Sequence, residues 1–344
     1  MNISSMSKSE LKELIIQNEQ STAPALLEEA FSLREKHYGN KVFIRGLIEI
    51  SNYCKNDCFY CGIRKSNGEV SRYRLTEDEI MSCCENGYRL GFKTFVMQGG
   101  EDYYYDDSCM CRIITKIKEN YPDCAITLSL GEKDRETYKK YKDAGADRYL
   151  LRHETATLSH YKKLHPTEMS LENRKRCLYD LKKIGFQVGA GFMVGSPFQT
   201  ADNLAEDLLF LKELQPEMVG IGPFIPHCDT PFKDFKSGTV ELTVTMLALT
   251  RIMLPKCLLP ATTALGTIAK DGRERGFMAG ANVVMPNLSP LDFRKDYSLY
   301  NDKAYTGDEA AESIKTIEEN VKKLGLEIDF SRGDNIDFVN KQKD

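Results

Sequence analysis

Cys54, Cys58 and Cys61 stand four and three residues apart in the run Ser51-Asn52-Tyr53-Cys54-Lys55-Asn56-Asp57-Cys58-Phe59-Tyr60-Cys61-Gly62. Thiols so spaced can converge on one small inorganic cluster. Thiolates are the usual ligands of iron–sulfur clusters, and a four-iron cubane ordinarily takes four of them. Three leave one iron open to a substrate or cofactor, much as an open position separates a catalytic zinc site from a structural one. Zinc itself would call for a fourth Cys or His nearby, and none stands between Cys61 and Cys83. An odd triplet is also a poor disulfide framework.

Further polar residues interrupt apolar runs. Gln98-Gly99-Gly100-Glu101 ends one such run, and its two glycines allow close backbone approach to a ligand. In Arg148-Tyr149-Leu150-Leu151-Arg152-His153-Glu154-Thr155, Arg148, Arg152 and Glu154 fall on one face of an extended strand. Two buried guanidiniums and a carboxylate are costly unless paired or ligand-bound, so the set is either a substrate pocket or a structural network. Pro223-Phe224-Ile225-Pro226-His227 offers backbone groups to a flat heterocycle, with His227 as ligand or loop cap, and Thr262-Thr263 offer hydroxyls.

The elements that must position these residues alternate. Strands are expected at 45–50, 94–98, 125–130, 148–152, 187–194, 218–224, 260–264 and 282–285. Helices are expected at 77–90, 106–120, 134–143, 171–184, 202–214 and 241–254, with Gly91, Gly145, Gly185 and Pro216 at the junctions. Near-continuous apolar strands separated by amphipathic helices imply a parallel sheet covered by helices, and eight repeats fit one (β/α)8 TIM barrel. In that fold the site is built at the carboxyl ends of the strands, where the polar residues fall. Residues 1–40 read as an N-terminal helical extension (helices 8–19 and 23–37), 41–300 as the barrel, and 301–344 as a C-terminal helix (306–325) followed by a loosely held tail.

Composition bounds the rest. The 344 residues are 41% apolar with a net charge of −4, which gives no reason to expect a nucleic-acid or anionic-membrane partner. The start has no apolar signal core, there is no 18-residue apolar run, and eleven cysteines suit a reducing compartment, so a cytoplasmic location is expected. Cys83, Cys84, Cys109, Cys111, Cys124, Cys177 and Cys257 are expected to be packing residues.

The triplet with Tyr60 before its last Cys resembles the signature of radical S-adenosylmethionine (SAM) enzymes, whose TIM barrels carry such a loop. With Leu128-Ser-Leu-Gly131-Glu132, the Arg148–Thr155 run, Gly220-Ile-Gly-Pro-Phe-Ile-Pro-His227, Pro260-Ala-Thr-Thr-Ala264 and Ala281-Asn-Val-Val-Met-Pro-Asn287, the chain is similar to the HydE family of [FeFe]-hydrogenase maturases over roughly residues 40–300. The resemblance implies a [4Fe–4S] cluster on Cys54, Cys58 and Cys61, with SAM on the open iron. Tyr60 would lie near the adenine, Gln98, Gly99, Gly100 and Glu101 near the methionine amino group, Glu154 at the ribose and Arg174 at the carboxylate. Arg148, Arg152, Thr262, Thr263, Met285 and Tyr297 would line the cavity for a small organometallic iron–cysteine substrate carrying carbon monoxide and cyanide. Other hydrogenase maturases and a reducing electron donor are the partners it implies. Some members of the family carry three more cysteines for an accessory [2Fe–2S] cluster. Tyr305, Ser313 and Thr316 stand in that stretch here, so no second cluster is expected. The competing readings are a methylornithine synthase or biotin-synthase-like radical SAM enzyme, and an iron–sulfur carrier without catalysis.

Overall fold

The computed structural model describes residues 3–304 and 310–341. Its strands are β1 Lys41–Ile44, β2 Gly46–Ser51, β3 Thr94–Gly99, β4 Ala125–Ser129, β5 Arg148–Leu150, β6 Gln187–Ala190, β7 Met193–Val194, β8 Met218–Val219, β9 Gly222–Pro223, β10 Val283–Val284 and β11 Glu327–Asp329. Six pair in parallel in the order β2-β3-β4-β5-β6-β8. Bridges from Met218 to Leu258 and from Pro260 to Val283, the pairing of β10 with β1, and a bridge from Leu47 to Asn287 carry the sheet round to its start. The result is the expected α/β barrel.

Helices Glu77–Arg89, Asp107–Asn120, Arg135–Asp143, Leu171–Ile184, Ala201–Leu214 and Val240–Met253 lie close to their expected bounds. Their starts follow side-chain caps: Thr76 with Glu79 and Thr200 with Asn203 form capping boxes, and Asp106, Asp134, Ser170 and Thr239 each accept one backbone N–H. The outward residues of the strands, among them Phe95, Met97, Ile126, Leu128, Tyr149 and Val188, are fully buried against these helices. Lys8–Gln17 and Pro24–Tyr38 form the N-terminal pair, packed on the helices after β7 and β9.

Three expectations are corrected. The strand expected at 187–194 is broken at Gly191, whose φ is +149° and where a Cβ would stand 2.0 Å from the Gly220 carbonyl oxygen. The strand expected at 260–264 is reduced to single bridges at Leu258 and Pro260, because Thr262 turns the chain into helix Thr263–Ile268 as its N-cap. The tail is not loosely held. β11 pairs in parallel with β1, and residues 332–335 close the base of the barrel, where Arg45 donates to the Gly333 carbonyl and Gln187 and Arg332 donate to Asp334. Helix Ala310–Lys323 covers most of the stretch expected at 306–325; Tyr305 and residues 306–309 lie outside the described residues.

Candidate active site

The strands run from base to mouth, and the Cys loop leaves the mouth end of β2. Gly100, at the mouth end of β3, packs so closely on this loop that a Cβ would sit 2.1 Å from the Tyr53 carbonyl oxygen and 2.8 Å from Cys54 Cβ. The second glycine therefore lets β3 reach the thiol loop. The next N–H, of Glu101, donates to Cys54 Sγ at 3.4 Å. The Glu101 carboxylate is paired with Lys55 Nζ at 3.1 Å and lies over Gly131, where no Cβ would fit.

The three thiols are half-buried and close together, so that Cys61 and Cys54 raise the Cys58 pKa and Cys54 raises that of Cys61. Burial, and then the other thiols, push Cys58 up, while burial and Cys54 take Cys61 up to about 12. A protonated trio of this kind becomes a thiolate trio only around a cation, which is how a metal inverts local pKa logic. Cys58 Sγ also lies 3.7 Å from Met169 Sδ.

Tyr60 is held from behind. Its hydroxyl lies 3.1 Å from His165 Nε2, and the two rings meet edge to face at 5.4 Å. His165 Nδ1 is 3.0 Å from the Tyr161 carbonyl oxygen, so it carries the proton and Nε2 accepts from Tyr60. Burial, reinforced by the Arg174 charge, lowers the His165 pKa to about 3 and keeps it neutral. Arg174 Nε stands 2.7 Å from Glu132 Oε1, and Asn173 donates to the same carboxylate.

β5 carries the largest rearrangement of the expected set. Arg152 and Glu154 remain at the mouth, 3.0 Å apart. Glu154 has φ +65°, an uncommon backbone for a non-glycine residue, held by its N–H bond to the Gly191 carbonyl. Arg148 is not in this cavity. As the first residue of β5 it faces the base, where it donates to Thr94 Oγ1 at 3.1 Å, the Arg332 carbonyl at 2.6 Å and Asp334 Oδ1 at 2.5 Å. The four-residue interval to Arg152 puts both side chains on the inner face but at opposite ends of the barrel.

Across the mouth, Gln98 donates to the buried Tyr297 hydroxyl at 3.2 Å. Beneath them Glu49, paired in register with Gln98, accepts from Asn287 at 2.8 Å and from Lys303, which also donates to the Tyr297 carbonyl at 2.9 Å. Thr263, Met285, Asn287 and Lys303 share a narrow cavity of about 20 Å³, and Thr263 Oγ1 accepts from Arg273 at 3.3 Å. Thr262 is spent as a helix cap facing Gly222. His227 also caps a loop, its Nδ1 accepting the Asp229 N–H at 3.1 Å. A larger hollow of about 600 Å³ lies outside the barrel, between helix Glu77–Arg89 and residues 288–294, and holds none of the expected site residues.

His165, Glu132, Lys55, Glu49, Asn287 and Lys303 were not among the expected site residues. Glu49 had a legible signal, a carboxylate within Leu-Ile-Glu-Ile, and Glu132 sits in a motif already singled out. His165 and Lys303 meet their partners only through the fold.

Arg152 Nη2 with Glu154 Oε2 and Arg174 Nε with Glu132 Oε1 form buried ion pairs at 3.0 and 2.7 Å, and Arg152 Nε is buried without a partner. Two buried ion pairs and one unpartnered guanidinium nitrogen beside three thiols suit a polar, charged cofactor. The fold and the site together define a radical SAM enzyme, with a [4Fe–4S] cluster and SAM as cofactors.

Residues 48–211 match the radical SAM superfamily. The chain is 48% identical over 315 residues to the [FeFe] hydrogenase maturase subunit HydE of Thermotoga maritima, covering 92% of this chain and 90% of the relative. It is 28% identical to the 3-methylornithine synthase of Methanosarcina acetivorans, over 94% and 90% of the two chains. The crystal structure of methylornithine synthase (PylB) superposes with a TM-score of 0.81 at 27% identity, covering 95% of this chain and 96% of that one. The maturase HydG from Carboxydothermus hydrogenoformans shares the fold, with a TM-score of 0.77 at 18% identity over 94% of this chain and 76% of that one. This chain belongs to the HydE family of [FeFe]-hydrogenase maturases.

Proposed function

We propose that the chain cleaves SAM reductively and directs the product radical onto the cysteine sulfur of a small iron complex bearing carbon monoxide, cyanide and cysteine. When bound, the cluster and SAM supply a low-potential electron and a 5′-deoxyadenosyl radical. Cys54, Cys58 and Cys61 would hold the cluster, and Glu101 N–H would tune Cys54. Tyr60, pinned by His165, would face the adenine; Glu154 would take the ribose and Arg174, oriented by Glu132, the carboxylate. Arg152, Thr263, Met285 and Tyr297 would then line the second-substrate cavity. Thr262 would shape the cavity's rim through its cap. Arg148 is omitted from this set because it faces the base.

The observation that carries this reading is the Arg152–Glu154 ion pair at the inner mouth of β5, which leaves the buried Arg152 Nε without a partner. A planar guanidinium suits an anionic, cyanide-bearing complex, and an enclosing barrel excludes the water and stray C–H bonds that a radical would attack. Placement within about 3–3.5 Å decides which atom reacts. Ser313 and Thr316 in place of cysteines support a single cluster per chain. Exchange of substrate or product with other maturases follows from the same reading.

The test is anaerobic. Reconstituted protein, SAM, dithionite and the synthetic iron–cysteine carbonyl cyanide complex should yield an adenosylated sulfur species by mass spectrometry, and Cys58→Ala should yield none. SAM cleavage that ignores the complex but responds to lysine would transfer the reading to an amino-acid mutase. An iron-loaded protein that cleaves no SAM would be a carrier.

A further inference from the structure

Phe198 and Phe235 are 50% and 39% exposed, and they stand together. Their ring centroids are 5.3 Å apart, and each also contacts Phe232, at 6.2 and 5.2 Å. Phe232 in turn meets Phe59 at 6.1 Å, and Phe59 follows the cluster thiol Cys58 directly. The aromatic surface is therefore continuous with the Cys loop.

Phe198 is held outward rather than left loose. Its φ is +65°, a backbone that bulky residues rarely adopt. The two loops bearing Phe198 and Phe235 are locked where Gly195 meets Gly238, with a Cβ on Gly195 falling 2.4 Å from Gly238 Cα. Gln199 holds the first loop through Gly195 N–H at 2.6 Å and the Met193 carbonyl at 2.8 Å. The Gly238 N–H donates to the Phe224 carbonyl at 2.9 Å and holds the second. Exposed lysines flank these aromatic residues in the chain. Lys163 Nζ lies 5.1 Å from the Phe198 centroid; Lys162, next to it in sequence, and Lys233 and Lys236, on the loop of Phe235, are exposed, against the exposed acids Asp229 and Asp234 of that loop.

We propose that this surface docks a small acidic one-electron carrier protein that reduces the cluster. The proposal rests on reductive SAM cleavage and not on the identity of the second substrate. Rigid aromatic anchors within a basic rim are the composition of an interaction surface, and the rim selects a partner of opposite sign. Docking here brings the donor against Phe59, beside Cys58. The carrier loses one electron, the cluster held by Cys54, Cys58 and Cys61 gains it, and no atom is transferred.

The test uses the cluster-loaded full chain and an acidic two-cluster bacterial ferredoxin as probe. Calorimetry measures binding of the oxidised ferredoxin, and SAM cleavage is followed with reduced ferredoxin or with dithionite. The double variants Phe198→Ser/Phe235→Ser and Lys163→Glu/Lys233→Glu should each weaken ferredoxin binding about tenfold or more, and added salt should weaken the wild-type complex. Ferredoxin-driven cleavage at limiting ferredoxin should fall in parallel, while the dithionite-driven rate stays within about twofold, because a rim charge acts on encounter rather than on chemistry. Undiminished ferredoxin binding in both variants overturns the proposal, as does a wild type that does not bind the probe. An equal loss with dithionite makes the surface structural, and loss of self-association alone in sedimentation makes it a contact between copies of this chain.

Discussion

Arg148 and Asp334, 186 residues apart, meet at 2.5 Å across the base of the barrel. The guanidinium is fully buried, and its partner comes from the C-terminal tail. Burial opposes the charge on Asp334, yet Arg148 and Arg332 hold its carboxyl well below the usual range. The ion pair makes the tail a stopper for the end of the barrel opposite the site.

Asp334→Asn should destabilise the protein by about 3–5 kcal/mol, since it leaves a buried cation without its countercharge. In an unfolded chain this carboxyl titrates near 3.8, above its folded value. Its stabilisation is therefore complete at higher pH and is lost as pH falls through the depressed folded value. Denaturant melts from pH 7 downward should show the wild type losing this advantage in acid while Asp334→Asn loses less; parallel profiles would dissociate Asp334 from the effect.

Arg152→Lys should raise KM for the iron complex about tenfold, with SAM cleavage in its absence within about twofold of wild type, because the planar fork is lost but the charge is kept. Arg148→Lys should instead lower the melting temperature with little change in KM. A KM effect from Arg148 would return it to the cavity.

Gly100→Ala should prevent cluster assembly, since the added Cβ meets the Tyr53 carbonyl oxygen at 2.1 Å. Iron and sulfide analysis after reconstitution reads this directly. A fully loaded variant would mean that the Cys loop can retreat.

His165→Phe should leave the Tyr60 hydroxyl buried without a partner, at a cost of about 1–3 kcal/mol. If Tyr60 faces the adenine, SAM affinity measured by calorimetry should fall while iron content is retained. Unchanged affinity would move Tyr60 away from the cofactor.

Reconstituted wild type should hold about four irons and four sulfides per chain, the content of one [4Fe–4S] cluster. A value well above four at full occupancy would reveal a second cluster.

Local chemistry made much of this protein legible. The Cys triplet and the apolar runs from 94 to 98 and 125 to 130 act over a few residues, so their spacing alone pointed to the thiol loop, most helices and the parallel barrel class. Depth along a strand was not legible. Arg148 and Arg152 share a face by period two, but which end of the barrel each faces depends on register with Thr127 and Gln187 and on a tail that arrives from residue 334. The same holds for Tyr60 with His165, Glu49 with Lys303, and Phe59 with Phe232. Each pair is remote in sequence, so only closure of the barrel decided which of these groups met.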